Sequence, residues 1–360
     1  MSKKIVTIVG ARPQFVKAAA VSRELRKEFV EILVHTGQHF DQNMSEVFFQ
    51  EMEIPTPDYN LEINGVGHGA MTGRMLEKIE EVLLKEKPDM VLVYGDTNST
   101  IAGALAASKI HIPVAHVEAG LRSFNMEMPE EINRILTDRI SNILFCPTTV
   151  AVDNLKQEGF DNFNNKIVCN GDVMQDAAIY YSQFSDEKST VIAKNELDKK
   201  SFVLATIHRQ ENTDDLDNLQ QIVAAFNEIN KTHRVVFPMH PRTRNIIAKH
   251  EIKMEFEPID PVGYFDMIEL LKKCEVVITD SGGLQKEAFF FGKHCVTARE
   301  QTEWVELINN GFNIVTGADK QKIIDTVALM AQKESNFDID LYGKGEASSR
   351  IVKTLKEYLN

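Results

Sequence analysis

The chain has one tryptophan and four cysteines, and its 40 lysines and arginines are outnumbered by 53 aspartates and glutamates. Each shortage excludes something. A net charge of −13 offers no bulk attraction to nucleic acid or to an anionic membrane surface. An anionic ligand would need a local basic pocket set against the overall field. Cys146, Cys169, Cys274 and Cys295 are far apart with no CxxC spacing, which predicts reduced, mostly buried thiols rather than a disulfide frame or a zinc site. No HExxH or comparable spacing gathers histidines and carboxylates for a metal. There is no run of about 18 apolar residues, and the first residues lead straight into a strand-like segment. The expectation is a cytoplasmic protein with no targeting segment and no membrane span.

What is present is ordinary for a globular chain: 43% hydrophobic and 26% charged residues. At roughly 150 residues per domain, 360 residues point to two domains. Short apolar runs at 5–9, 32–34, 90–93, 113–115 and 143–145 alternate with helical periodicity. The pattern returns at 202–205, 235–237, 276–278 and 313–315. Such alternation predicts βαβ units and parallel sheets covered by helices on both faces. The expected fold is therefore α/β, with two Rossmann-like doubly wound domains facing a cleft. A helix is predicted from Val173 to Phe184, then a polar break from Asp186 to Lys200. The crossover is placed near Gly171-Asp172, giving domains at 1–171 and 172–345, with an amphipathic helix within 346–360 returning to the first. Doubly wound sheets bind ligands at the carboxyl ends of their strands, so the residues there are the candidates.

In the first domain, Gly10-Ala11-Arg12-Pro13 closes a strand and opens a helix, with Pro13 suited to the first helical position and Lys17 one turn on. Asp96 follows the third run, either as a functional carboxylate or as a helix cap. Glu118 stands at the tip of the fourth, where burial without a partner is unfavourable; a structural pair with Arg122 is the alternative. Glu130 lies in a helix's first turn, where acidic residues suit the helix dipole and where it could pair with Arg134. In the second domain, Asp280-Ser281-Gly282-Gly283 follows a strand and opens a helix. Its glycines admit close backbone approach, and the helix start favours an anion. Glu287, one turn along, suits the two hydroxyls of a ribose. His208-Arg209 and His240-Pro241-Arg242 end further strands and would build the missing basic pocket. Gly65-Val66-Gly67-His68-Gly69-Ala70 fits the dinucleotide fingerprint G-x-G-x-x-G/A but lacks the preceding buried strand. It is read as a glycine loop before a helix at 71–85, and NAD binding is not expected.

Taken together, Gly10-Ala11-Arg12-Pro13-Gln14, Gly95-Asp96-Thr97, His116 to Arg122, Pro129 to Arg134, His208-Arg209 and Asp280 to Gly283 form an ordered set. The chain resembles the non-hydrolysing UDP-N-acetylglucosamine 2-epimerases across nearly its whole length. The resemblance implies the GT-B architecture, a UDP-sugar ligand and a homodimer. It implies that Arg12, His240, Ser281, Gly282, Gly283 and Glu287 bind UDP, and that Lys17, Asp96, Glu118, Glu130 and His208 serve catalysis. Most members have Glu where this chain has Gln14, and the Gly65–Ala70 loop replaces a segment that helps form an activating second UDP-sugar site. The wording at 11–15, 35–41 and 301–304 is closer to a branch that includes epimerases of UDP-2,3-diacetamido-2,3-dideoxyglucuronate.

The implied chemistry follows from the substrate. The C2 proton of a 2-acetamido sugar is not beside a carbonyl, so a base alone cannot remove it. Expelling UDP from C1 while a carboxylate takes the C2 proton leaves a glycal. Re-addition of UDP with protonation on the other face inverts C2. This requires no metal or redox cofactor. It requires a cationic cradle for the leaving pyrophosphate and acid–base groups beside the sugar, at least one of them with a raised pKa. The expected reaction is UDP-N-acetylglucosamine to UDP-N-acetylmannosamine. The alternatives are the same inversion on the diacetamido uronate, a GT-B glycosyltransferase and a hydrolysing epimerase. For the uronate, Arg74, His68 and His39 are candidates to meet its extra carboxylate.

Overall fold

The structure is a computed structural model that describes residues 2–38 and 54–360, except for the side chain of Arg12. His39 lies outside the described residues. The chain divides into two compact units, one of Met1–Ala177 with Asp340–Asn360 and one of Ala178–Ile339.

The first unit is built on seven strands: β1 (Lys4–Val9), β2 (Val30–His35), β3 (Tyr59–Asn60), β4 (Met90–Tyr94), β5 (Val114–Val117), β6 (Ile143–Cys146) and β7 (Lys166–Cys169). All pair in parallel, in the order β3-β2-β1-β4-β5-β6-β7. The central strands are apolar on both faces because helices cover both: every residue of β4 is buried. The helices are α1 (Arg12–Leu25), α2 (His68–Glu86), α3 (Asn98–Lys109), α4 (Pro129–Ile140), α5 (Thr149–Gln157) and α6 (Val173–Ser182), which crosses between the units. Strand order reverses between β1 and β4, and that boundary is where doubly wound sheets open a crevice. Gly10 and Gly95 sit at the two strand ends that flank it.

The second unit has five parallel strands, β8 (Phe202–Thr206), β9 (Arg234–Val236), β10 (Val276–Thr279), β11 (His294–Thr297) and β12 (Asn313–Val315), in the order β12-β11-β10-β8-β9. Here the order reverses between β8 and β10, above which stand His208 and Asp280. The longer helices are α7 (Leu216–Asn230), α8 (Pro241–Lys249), α9 (Tyr264–Lys273), α10 (Gly282–Phe290) and α11 (Lys320–Gln332). The polar segment after 186 is more ordered than its composition suggests. It holds helical turns at Ser185–Lys188 and Val191–Lys194, anchored by buried Val191 and Leu197.

The last helix, α12 (Ala347–Leu359), belongs to the first unit. Asp176 accepts hydrogen bonds from the Ala347 and Ser348 N–H groups at 3.1 and 2.6 Å, so a side chain from α6 satisfies its first turn. At its other end Lys356 reaches Glu28 at 2.6 Å.

Three strands differ from the sequence reading. β3 is a two-residue edge strand beside Val34 and His35, too short to show a period. β7 is an edge strand of partly and fully exposed residues, whose short run Ile167-Val168-Cys169 the sequence reading omits. β11 is fully buried but begins with a histidine. Helix α2 starts at His68, three residues earlier than read, so Gly69 and Ala70 belong to its first turn and not to a loop. Helix α6 ends at Ser182, two residues short of Phe184. All four cysteines are free; Cys146, Cys274 and Cys295 are buried, and Cys169 is exposed.

Candidate active site

The segment Tyr94-Gly95-Asp96, leaving β4, is pinned at three successive carbonyls. Gln14 Nε2 and Thr100 Oγ1 donate to the Tyr94 oxygen at 2.7 and 2.6 Å. His116 Nε2 lies 2.7 Å from the Gly95 oxygen, and Asn133 Nδ2 donates to the Asp96 oxygen at 2.9 Å. Four elements thus hold one turn. Gln14 also accepts from the Gly10 and Ala11 N–H groups at 2.8 and 3.0 Å, so the turns after β1 and β4 share one buried amide.

Glu118 leaves β5 with φ of 73°, a left-handed conformation that a non-glycine residue adopts at a cost of about 1–3 kcal/mol. The turn is held because the Glu118 and Ala119 N–H groups both donate to Phe145 O, at 3.1 and 3.0 Å. It aims the Glu118 carboxylate at Lys17, and the two form an ion pair. A Cβ on Gly95 would stand 3.1 Å from Glu118 Oε2 and 3.5 Å from Lys17 Nζ. The pair therefore lies directly against Gly95, whose own φ of 61° favours glycine.

Asp96 does not cap α3; Thr97 does, accepting from Thr100 N. The Asp96 carboxylate is instead paired with Arg134, which also holds Glu131 at 3.0 Å. Arg134 is thus committed to those two and not to Glu130, and Arg122 is bound to Asp138 and Glu158 and not to Glu118. Glu130 is exposed at the start of α4. It lies one turn before Asn133 and Arg134, on the face that meets Asp96. Lys17 and Glu118 are brought together against Gly95, the residue before Asp96, while Glu130 starts the helix whose Asn133 and Arg134 hold Asp96.

In the second unit, Asp280 is fully buried and accepts from the N–H groups of His208 and Arg209, each at 3.0 Å, and from Asn212 Nδ2 at 3.1 Å. His208 Nδ1 stands 3.4 Å from Asp280 Oδ1, and the rings of His208 and His240 are 6.3 Å apart. His240 caps α8 through Nδ1, which accepts from Arg242 N. Ser281 caps α10, accepting from Leu284 N. A Cβ on Gly283 would make only an ordinary contact with Ser281 Oγ at 3.9 Å, whereas one on Gly282 would meet Glu303 Oε1 at 2.5 Å. Burial alone would raise the Glu303 carboxyl, but the Arg299 and Arg209 cations outweigh it and hold it below the usual range. Glu287 is buried beside Tyr264. Burial pushes the Tyr264 hydroxyl well up, and the Glu287 charge adds to the effect. Ser281, Gly282, Gly283 and Glu287 thus share one helix start, with His208 and His240 as neighbours of each other. Among the described residues no group of acidic, histidine and cysteine side chains could hold a metal, and no helix is long and apolar enough to cross a membrane.

The sequence reading missed the supports: Asn133 on the Asp96 carbonyl, Arg134 on its carboxylate, Asp138 beneath, and Arg299 with Glu303 beside Gly282. Asn133, Arg134 and Asp138 lie in the body of α4, away from any strand end, and Arg299 and Glu303 follow β11, a strand with no run to mark it.

Two doubly wound parallel units, one with carboxylates and the other with a glycine-started helix at the strand-order reversal, define a nucleotide-binding α/β protein. A sequence profile described as UDP-N-acetylglucosamine 2-epimerase matches residues 23–356, and the chain belongs to that family. It is 58% identical over 355 residues to the UDP-2,3-diacetamido-2,3-dideoxy-D-glucuronate 2-epimerase of Pseudomonas aeruginosa, covering 98% of this chain and 99% of that one. It is 42% identical to the UDP-N-acetylglucosamine 2-epimerase of Methanocaldococcus jannaschii, with 98% of both chains covered. A crystal structure of the M. jannaschii enzyme with UDP-GlcNAc and UDP superposes with a TM-score of 0.89 at 41% identity, covering 99% of this chain and 100% of that one. The fold is of the GT-B type.

Proposed function

We propose that the protein inverts C2 of a UDP-2-acetamido sugar without hydrolysing it. The observation that carries this reading is the placement of Asp96 and Glu118 on two adjacent strand ends, each paired with its own cation, Arg134 and Lys17. Arg12, His240, Ser281, Gly282, Gly283 and Glu287 would hold UDP, the first two with charge or hydrogen bonds, the glycines with backbone N–H groups, and Glu287 at the ribose. One carboxylate takes the C2 proton as the C1–O bond to UDP breaks, and its electrons pass to the departing phosphate. A second carboxylate protonates the other face of the glycal as UDP returns. Lys17 and His208 stabilise the charges that develop. Incubation in deuterated water with NMR detection tests the reaction: deuterium at C2 of an intact UDP-sugar supports it, and free sugar or no exchange rejects it.

A specific substrate is favoured by the relatives. Identity of 58% to the diacetamido-uronate enzyme, against 42% to a UDP-N-acetylglucosamine enzyme, favours the uronate. His68 is the candidate for its C6 carboxylate. Its Nδ1 lies 3.2 Å from Asn98 Nδ2, and Asn98 is joined through Asn133 to the Asp96 carbonyl. Arg74 is exposed on α2. Higher kcat/KM for UDP-2,3-diacetamidoglucuronate than for UDP-N-acetylglucosamine supports this; equal or better turnover of the latter returns the assignment to UDP-N-acetylglucosamine. A homodimer in the cytoplasm completes the reading, and light scattering of the purified protein tests the dimer.

A further inference from the structure

Behind Gly95 lies a buried group of ionisable side chains with no part in the chemistry above. His116 and Asp138 are wholly buried and Arg122 is 4% exposed. His116 Nδ1 is 2.7 Å from Asp138 Oδ1, and its Nε2 is 2.7 Å from the Gly95 carbonyl oxygen. Asp138 Oδ2 accepts from Gly120 N at 3.1 Å and from Arg122 Nη1 at 2.7 Å. Arg122 in turn makes a two-pronged bond to Glu158, at 2.6 and 2.7 Å.

The proton positions follow from this geometry. A peptide carbonyl can only accept, so Nε2 of His116 carries a hydrogen. Asp138 already takes two donors on Oδ2, as an ionised carboxylate does. Burial alone would raise its carboxyl, but the His116 and Arg122 interactions hold it below the usual range. Its Oδ1 is therefore an acceptor as well, and Nδ1 of His116 also carries a hydrogen. Two cations, His116 and Arg122, are balanced by two carboxylates, Asp138 and Glu158. The Cys146 thiol nearby stays neutral, because burial and the Asp138 charge push it far up.

The trans peptide between Gly95 and Asp96 has its N–H opposite its C=O. With the carbonyl fixed on His116, the Asp96 N–H faces away from the buried group. Among the described residues it donates to no backbone acceptor. We propose that His116 is a positioning residue, protonated on both nitrogens. It locks the Gly95–Asp96 peptide so that the Asp96 carboxylate and the Asp96 N–H are both presented to the substrate, the N–H to an acceptor oxygen of the sugar nucleotide. This inference rests on the C2 epimerisation proposed above.

The test separates holding the peptide from merely satisfying Asp138. Asparagine at 116 reaches the Nδ1 position and can still donate to Asp138, but is too short for the Gly95 oxygen; glutamine reaches the Nε2 position and can hold that oxygen. The expected result is kcat lowered about 10²-fold in His116→Asn, the scale of a misplaced reacting group, with KM and UDP affinity little changed. His116→Gln should then recover about 10-fold of that loss. Nitrogen-15 NMR of the wild-type protein should show both ring nitrogens of His116 protonated. Near-wild-type kcat in a folded His116→Asn protein, equal rates in the two variants, or a neutral-imidazole spectrum would overturn the proposal. Should His116→Asn not fold, the wild-type spectrum decides. Failure of the wild-type enzyme to exchange C2 hydrogen would instead remove the epimerase reading and leave the spectrum as a separate result.

Discussion

Lys17, from the first turns of α1, and Glu118, just beyond β5, meet across 101 residues of sequence in an ion pair whose two side chains are each 11% exposed. Removing one partner from so enclosed a pair leaves the other charge poorly solvated. Lys17→Met should lower stability by about 3 kcal/mol in urea titrations. The double variant Lys17→Met/Glu118→Gln should be more stable than Lys17→Met alone. Activity should not follow that recovery. Glu118→Gln is expected to slow C2 exchange by about 10²-fold or more, the usual acid–base contribution. A double variant as unstable as Lys17→Met would show that the pair is not what holds the charge.

Gln14 ties the turn after β1 to the turn after β4. Gln14→Leu strands the Gly10 and Ala11 N–H groups and removes one of two donors from the Tyr94 carbonyl. A loss of about 3 kcal/mol is expected, since each buried unsatisfied group costs about 1–3 kcal/mol. Gln14→Glu keeps the acceptor for both N–H groups, the Thr97 hydroxyl can turn to donate to it, and Thr100 Oγ1 remains as the one donor to the Tyr94 carbonyl. Stability in chemical denaturation should rank wild type first, Gln14→Glu second and Gln14→Leu last; a different order would discount the amide's part.

Acid stability should depend on Asp138. Its folded-state pKa lies below its unfolded value, which is about 3.9. The stabilisation is therefore present above that value and is lost as pH falls from there through the folded-state pKa. Between about pH 5 and 2 the wild-type protein should lose stability more steeply than Asp138→Asn. Thermal unfolding across that range measures the two slopes, and parallel slopes would contradict the assignment.

Adjacent glycines at the α10 start should respond differently. Gly282→Ala forces Glu303 away and disturbs its 2.9 Å bond to Arg299, so the melting temperature should fall. Gly283→Ala meets only Ser281 Oγ at an ordinary 3.9 Å and should leave stability within about 0.5 kcal/mol while weakening UDP binding if phosphate approaches there. Glu287→Ala should weaken UDP by about 1.5–3 kcal/mol, as for a charged hydrogen bond. Calorimetry reads all three, and unchanged UDP affinity in Glu287→Ala would remove it from the site.

The buried strands of both sheets were legible because their runs are apolar on both faces. β3 was not, because two residues show no period; the short run of β7 was missed, and β11 was hidden by His294. At the site, type and place were readable for Asp96, Glu118 and Lys17. Their partners were not: Arg134 is within one helical turn of both Glu130 and Glu131, and only the fold turns it toward Asp96. The left-handed turn at Glu118 was equally invisible, since the segment marks Gly120 for a positive φ but gives no sign that Glu118 takes one too.

The helix α12 is the last piece of a unit whose sheet is complete by residue 169. A ribosome releases the whole of 178–339 before α12 can reach α1. The second unit is therefore free to fold cotranslationally as a unit of its own. Helix α12 packs on α1, so the first unit must wait with that face of α1 uncovered. Truncation before Ala347 would leave that face bare permanently, exposing apolar surface otherwise covered by Ile351 and Leu355. Such a product would be a chaperone client, even though every strand of both sheets had been synthesised.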